Sequence, residues 1–191
     1  MIKILFICHG NICRSPMAEY VMKDLVRQAG REDEFVIASA ATSREELGNP
    51  VYPPARRKLA EHGIRCDGHA ARQMTRKDYE EFDYLIGMDR MNLHNMARIC
   101  GGDPEGKCSL LLAHAGQNGD VADPWYTGDF EATWRDINIG CRTLLKELTG
   151  RGVKNKRVII ATAAVQENTS VRQLLLFGEC SHKKVFFCCR R

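Results

Sequence analysis

No stretch of this 191-residue chain approaches the twenty or so consecutive apolar residues that a bilayer-spanning helix requires. The N-terminus also lacks the shape of a secretory signal. Its apolar run, residues 2–7, is too short and passes directly into a polar loop. A span and export are therefore not expected, and the chain reads as cytoplasmic. Without export, the nine cysteines read as reduced thiols, one or two of them catalytic, and not as a disulfide framework. Recognisable zinc spacing is missing too, since the adjacent Cys188 and Cys189 with the single His182 do not form one. Nor do those cysteines sit where a C-terminal prenylation signal would place them.

Strong charge is a further absence. The net charge is only +4, and it is unevenly held. Residues 151–191 carry nine Lys and Arg against Glu167 and Glu179, which makes that tail +7 and leaves the first 150 residues at −3. The body is mildly acidic, so nucleic acid is not an expected partner. The organisation implied is one domain over residues 1–150 followed by a basic C-terminal extension, residues 151–191, of unknown role and poor order. Within the extension, residues 157–165 could form a strand and residues 171–177 a short helix or strand.

What is present is an alternation of strand and helix patterns. Residues 2–7 (IKILFI) read as a buried strand. From Pro16 onward, Ala18, Val21, Met22, Leu25, Val26 and Ala29 recur at helical spacing until Gly30. Residues 35–40 read as the second strand, and Pro53-Pro54 opens a helix that ends at Gly63. Thr75 can cap another helix beginning at Arg76. Residues 83–88 form a third buried strand, followed by a helix from about 90 to 99. Residues 109–113 are expected as the fourth strand, and residues 129–148 as a long amphipathic helix. This pattern predicts an α/β fold, a doubly wound three-layer α/β/α arrangement around a central four-stranded parallel sheet. Ligands in such folds bind beyond the carboxyl ends of the strands.

At the end of the first predicted strand stands Cys8-His9-Gly10-Asn11-Ile12-Cys13-Arg14-Ser15. A loop between strand and helix aims backbone N–H groups and a helix N-terminus at one point, which attracts anions. A thiol beside a helix N-terminus and an arginine ionises more readily than a free one, so Cys8 is expected to be a thiolate nucleophile. Arg14 can grip two phosphoryl oxygens with its planar fork. The Ser15 hydroxyl can donate to the sulfur both as attacker and as leaving group. Gly10 lets the backbone approach a ligand closely, and Asn11 tolerates the left-handed conformation such loops need.

The stretch CHGNICRSPMAE at residues 8–19 resembles the signature loop of the low-molecular-weight protein tyrosine phosphatases. SAATS at 39–43, GNP at 48–50, HAARQ at 69–73, FDYLIGMD at 82–89 and DPWY at 123–126 follow in that family's order. The resemblance covers roughly residues 1–149. It implies a phosphate site built by His9, Gly10, Asn11, Ile12, Cys13, Arg14 and Ser15. It implies hydrolysis through a phosphocysteine on Cys8, with Asp123 as general acid and then base. Asn11, Ser39 and His69 become the hydrogen-bond network that holds the loop, and Trp125 and Tyr126 the aromatic wall beside the substrate ring. No cofactor or metal is implied, because Arg14 and the loop amides carry the phosphoryl charge. The implied partners are phosphotyrosine proteins or small aryl phosphates, since a phosphoserine would be too short for a deep cleft. The protein itself is expected as a monomer or weak dimer. Cys13 is implied as the partner of a reversible, protective disulfide with Cys8, and Tyr126 as a phosphorylation site.

Departures from the animal members are also visible. His9 replaces an aliphatic residue and either lends positive charge to the loop or points to solvent. Arg44-Glu45-Glu46 stands where those enzymes carry an aromatic wall opposite Trp125, so Glu45 becomes a charged part of that wall. The segment DPWYTGDFE at 123–131 looks more like bacterial members. Three other functions share the pattern. Arsenate reductases of this fold need extra cysteines at or after the third strand, and residues 82–99 contain none. Protein-arginine phosphatases of the family carry threonine in the place of Ile12. A non-catalytic phosphopeptide-binding protein would not need Cys8, Arg14, Ser15 and Asp123 all together.

Overall fold

In the computed structural model, residues 1–150 are described; the expected elements at 157–165 and 171–177 and the proposed extension fall outside the described residues. Strand β1, Ile2–Cys8, runs between β2, Phe35–Ala41, and β3, Tyr84–Gly87, and β4, Cys108–Leu110, lies outside β3. The order is β2-β1-β3-β4 and every pairing is parallel, with Ile2 opposite Phe35, Ile4 opposite Tyr84 and Leu85 opposite Cys108.

The apolar run of β1 is explained by its central place. Ile4, Leu5, Phe6 and Ile7 are all fully buried, as a parallel strand covered on both faces must be. Side chains alternate between faces. Ile4, Phe6 and Cys8 join a core built with Met17, Val21 and Met22 of α1 (Arg14–Gln28), Ala55 and Leu59 of α2 (Pro53–Glu61), and Ile137, Cys141 and Leu144 of α6 (Phe130–Gly150). Leu5 and Ile7 join the opposite core, with Tyr79 of α3 (Arg76–Glu81) and Met96 of α4 (Arg90–Cys100). The three-layer α/β/α reading therefore holds. The chain leaves β1 toward β2 on one side and β3 on the other, so the strand order reverses at the end of β1. The cysteine loop begins at that point.

One local expectation is corrected. The fourth strand was expected over 109–113, but β4 ends at Leu110 and Leu111–Ala115 winds into a 3₁₀ turn closed by Gly116 in the left-handed region. Leu111 and Leu112 are buried in the α1–α6 core rather than continuing the ladder, and an apolar run alone does not distinguish those outcomes. The DPWY segment forms one short helical turn, α5, Pro124–Thr127, with Asp123 as its N-cap.

Gly140 lets α6 approach that 3₁₀ turn. A Cβ there would lie 2.5 Å from Leu111 Cγ and 2.9 Å from its Cδ1. Alanine would favour the helix by about 1 kcal/mol, but overpacking a fully buried leucine costs about 1–3 kcal/mol, and the clash falls on its branch carbon rather than a flexible tip. Gly140→Ala is expected to lower the melting temperature by several degrees in calorimetry. An unchanged or higher value would show that Leu111 moves aside freely.

Candidate active site

The site is built on the turn from β1 into α1. Among the described residues, Asn11 is the only non-glycine with positive φ, at 58°. Its side chain is fully buried and supplies the bonds that hold this conformation. Asn11 Nδ2 donates to Ser15 Oγ at 2.9 Å and to Ser39 Oγ at 2.8 Å, while Asn11 Oδ1 accepts from the Arg72 backbone N–H at 3.1 Å. His69 Nε2 donates to the Asn11 carbonyl at 2.8 Å. Ser39 in turn donates to Glu19 Oε2 at 2.5 Å. Ser15 Oγ, which accepts from Asn11, lies 3.1 Å from Cys8 Sγ and 3.4 Å from the Ala40 carbonyl, so it donates to the sulfur when Cys8 is a thiolate, and the Asn11 backbone N–H points at the same sulfur from 3.3 Å. Two donors thus converge on Cys8.

Arg14 is the first residue of α1 and only 4% exposed. Its Nη1 meets Asp89 Oδ2 at 2.7 Å and its Nη2 meets Asp123 Oδ2 at 2.5 Å. Burial works against its charge, but Cys8, Asp123 and Asp89 outweigh that and raise its pKa above the usual value. Both carboxylates are N-caps, which fixes their direction. Asp89 accepts from Asn92 N–H at the start of α4, and Asp123 accepts from Trp125 N–H at the start of α5. Asp123, more than a hundred residues from Cys8, is thereby brought to the loop.

The remaining expected residues divide. His9 Nε2 lies 3.0 Å from Glu45 Oε2, with both side chains largely exposed, so the two form a polar rim. The methylene of Glu46 packs over Gly10, where a Cβ would approach its Cγ to 3.2 Å. Ile12 and Cys13 are buried against Ala71 and Tyr52. Burial first, and then the neighbouring Cys8 and Asp123, push the Cys13 thiol up to about 12. Trp125 is 57% exposed and Tyr126 is 85% exposed, and Trp125 stands 5.6 Å from the Tyr52 ring.

Four contributors were not assigned roles from sequence: Glu19, Tyr52, Asp89 and the Arg72–Asp78 pair. Asp78 is buried and accepts both arms of the Arg72 guanidinium, at 3.1 and 2.8 Å. Burial opposes its charge, yet Arg72 and the Thr75 N–H hold its carboxyl below the usual range. That pair steadies the residue whose N–H meets Asn11. Asp89 stands inside the FDYLIGMD motif and its signal was topological, an N-cap at the end of the strand beside β1. Among the described residues no cluster of three or more His, Cys, Asp or Glu is arranged to hold a metal, and no helix is long and apolar enough to cross a membrane.

Residues 3–155 match the family described as low molecular weight phosphotyrosine protein phosphatase. The chain belongs to that family. It is 38% identical over 150 residues to the low molecular weight protein-tyrosine-phosphatase YfkJ of Bacillus subtilis, covering 78% of this chain and 96% of the relative. The YfkJ crystal structure superposes with a TM-score of 0.75 over the same shares of both chains. The Gallus gallus low molecular weight phosphotyrosine protein phosphatase is 38% identical over 149 residues, 75% of this chain and 94% of the relative. The family is not uniform in its named substrates. The crystal structure of DARP, a Drosophila arginine phosphatase, matches with 30% identity and a TM-score of 0.71, over 79% of this chain and 100% of that one.

Proposed function

We propose that the protein hydrolyses phosphotyrosine and related aryl phosphates through a phosphocysteine. The observation that carries the reading is the convergence of the Asn11 N–H and Ser15 hydroxyl on Cys8, in a loop whose arginine reaches Asp123. Cys8 sulfur attacks phosphorus in line, the P–S bond forms as the P–O bond to the phenol breaks, and Asp123 gives its proton to the departing oxygen. Arg14 and the loop amides bind the equatorial oxygens as charge spreads over them. Asp123, now ionised, takes a proton from water as that water attacks the phosphocysteine. Phosphate leaves and the sulfur is restored, with Ser15 donating to it.

The likeness to an arginine phosphatase supports a second reading, hydrolysis of phosphoarginine. Ile12 argues against it. An apolar side chain at the loop leaves guanidinium donors of a substrate unpaired, whereas a hydroxyl would meet one. The deciding experiment offers phosphotyrosine, phosphoarginine, and arsenate with thioredoxin to the same enzyme. Phosphotyrosine is expected to have the highest kcat/KM; turnover of either other substrate without phosphotyrosine would overturn the reading. Ile12→Thr is expected to raise the phosphoarginine-to-phosphotyrosine ratio of kcat/KM by about tenfold. An unchanged ratio would remove Ile12 as the discriminator.

Cys13 supports redox control of the same site. Peroxide converts the Cys8 thiolate to a sulfenic acid, and attack by the Cys13 sulfur then forms a disulfide with loss of water. Because the Cys13 thiol is held up to about 12, the resolving step is expected to accelerate as pH rises toward that value. Reducing thiol is expected to restore most activity to the peroxide-treated parent and little to Cys13→Ser. Equal recovery in both would exclude the disulfide.

A further inference from the structure

Tyr52 lies outside both the cysteine loop and the acid segment, yet it touches each. It precedes Pro53-Pro54, which confines its backbone to the extended region, and its φ and ψ are −53° and 132°. In that conformation its N–H donates to the Ile12 carbonyl at 2.8 Å. Its ring packs with Ile12, Cys13 and Ala71 on the loop side. On the other side the ring faces Trp125 at 5.6 Å, tilted by 57°, and Phe130 at 6.2 Å, tilted by 33°. Trp125 is the residue whose N–H holds the Asp123 carboxylate, and Phe130 begins α6 just beyond α5. Pro124 is buried and Asp123 meets Arg14, but residues 125–129 all lie at the surface.

We propose that Tyr52 is a positioning residue whose ring holds the Asp123 segment in place over the cysteine loop. The backbone bond to Ile12 and the conformation set by Pro53 do not depend on the side chain. Truncation should therefore keep the loop backbone in place while removing the ring from Ile12, Cys13 and Ala71, and loosen the acid segment, whose remaining tie to the loop is the Arg14–Asp123 pair. This rests on the reading of Asp123 as the general acid, and the experiment separates the two claims. A misplaced acid slows departure of a poor leaving group and barely affects a good one.

The test compares kcat/KM for phenyl phosphate, whose phenoxide needs a proton, with that for 4-nitrophenyl phosphate, whose phenoxide leaves readily. Tyr52→Ala is expected to reduce the first about tenfold and the second about twofold or less, while Tyr52→Phe, which keeps the ring, matches the parent. Tyr52→Leu keeps apolar volume against Ile12 and Ala71 and is expected to show the same split, which guards against loss of folding in the alanine variant. Asp123→Asn is expected to give the same pattern more strongly, and adding Tyr52→Ala to it should cost nothing further. A sloped response in Asp123→Asn with equal losses for both substrates in the Tyr52 variants overturns the role of Tyr52 alone. A flat response in all of them overturns the acid reading and the proposal with it.

Discussion

Cys8→Ser is expected to lose turnover of aryl phosphates by a factor on the order of 10⁴ or more, while inorganic phosphate still binds within a few-fold of the parent. The two halves of that expectation have separate causes. The side chain at position 8 is the group on which the Asn11 N–H and the Ser15 hydroxyl converge. It is 3% exposed, at the end of a strand whose residues 4–7 are fully buried. Serine fits that space and accepts the same two donors, but its hydroxyl is far harder to ionise than a thiol, and the hydrogen-bond partners of that position, Ser15 and the Asn11 N–H, are donors to it rather than bases. Anion binding, on the proposed reading, resides in Arg14 and the backbone N–H groups of the loop, which the change leaves alone. Steady-state rates with 4-nitrophenyl phosphate and competition by phosphate measure both. Activity within tenfold of the parent would remove Cys8 as the nucleophile.

Much of this site was legible in the chain because its centre is local. Cys8, Asn11, Arg14 and Ser15 fall within one turn from strand to helix, and the physics of such a turn depends on residues adjacent in sequence. The four-residue apolar centre of β1 announced a strand covered on both faces, and the helical spacing after Pro16 announced α1. The parts that escaped are those that the sheet brings together. Asp89 meets Arg14 because β3 lies beside β1, and nothing in the spacing between residues 14 and 89 states that neighbourhood. Glu19 could be seen as a charge on the buried side of α1, but its partner Ser39 lies on β2. The Arg72–Asp78 pair steadies the loop from a segment that has its own local logic, the Thr75 capping box. Leu111 and Leu112 were misread for a different reason: both a strand and a 3₁₀ turn bury consecutive leucines when a helix such as α6 covers them. Tyr52 carried no motif at all, and only the packing of its ring shows what it connects.

Arg14→Lys should be the second most damaging change, lowering kcat/KM for aryl phosphates on the order of 10³-fold. The charge is kept, so a purely Coulombic role would predict a small effect. Geometry predicts a large one. The guanidinium uses one arm on Asp89 at 2.7 Å and the other on Asp123 at 2.5 Å, while almost wholly buried. A lysine ammonium is a single point on a flexible stem and cannot span both carboxylates while also presenting parallel donors to two phosphoryl oxygens. The carboxylate it abandons would be left near the other without a counter-charge, and the acid segment would lose its tie to the loop. Phosphate should therefore compete much more weakly against substrate in Arg14→Lys, unlike in Cys8→Ser, and the contrast between the two variants separates anion binding from nucleophilic attack. Asp89→Asn, which retains an acceptor for Nη1, is expected to lose far less than Arg14→Lys. If Arg14→Lys kept activity within tenfold and bound phosphate as the parent does, the forked grip would be irrelevant and a single positive charge would suffice.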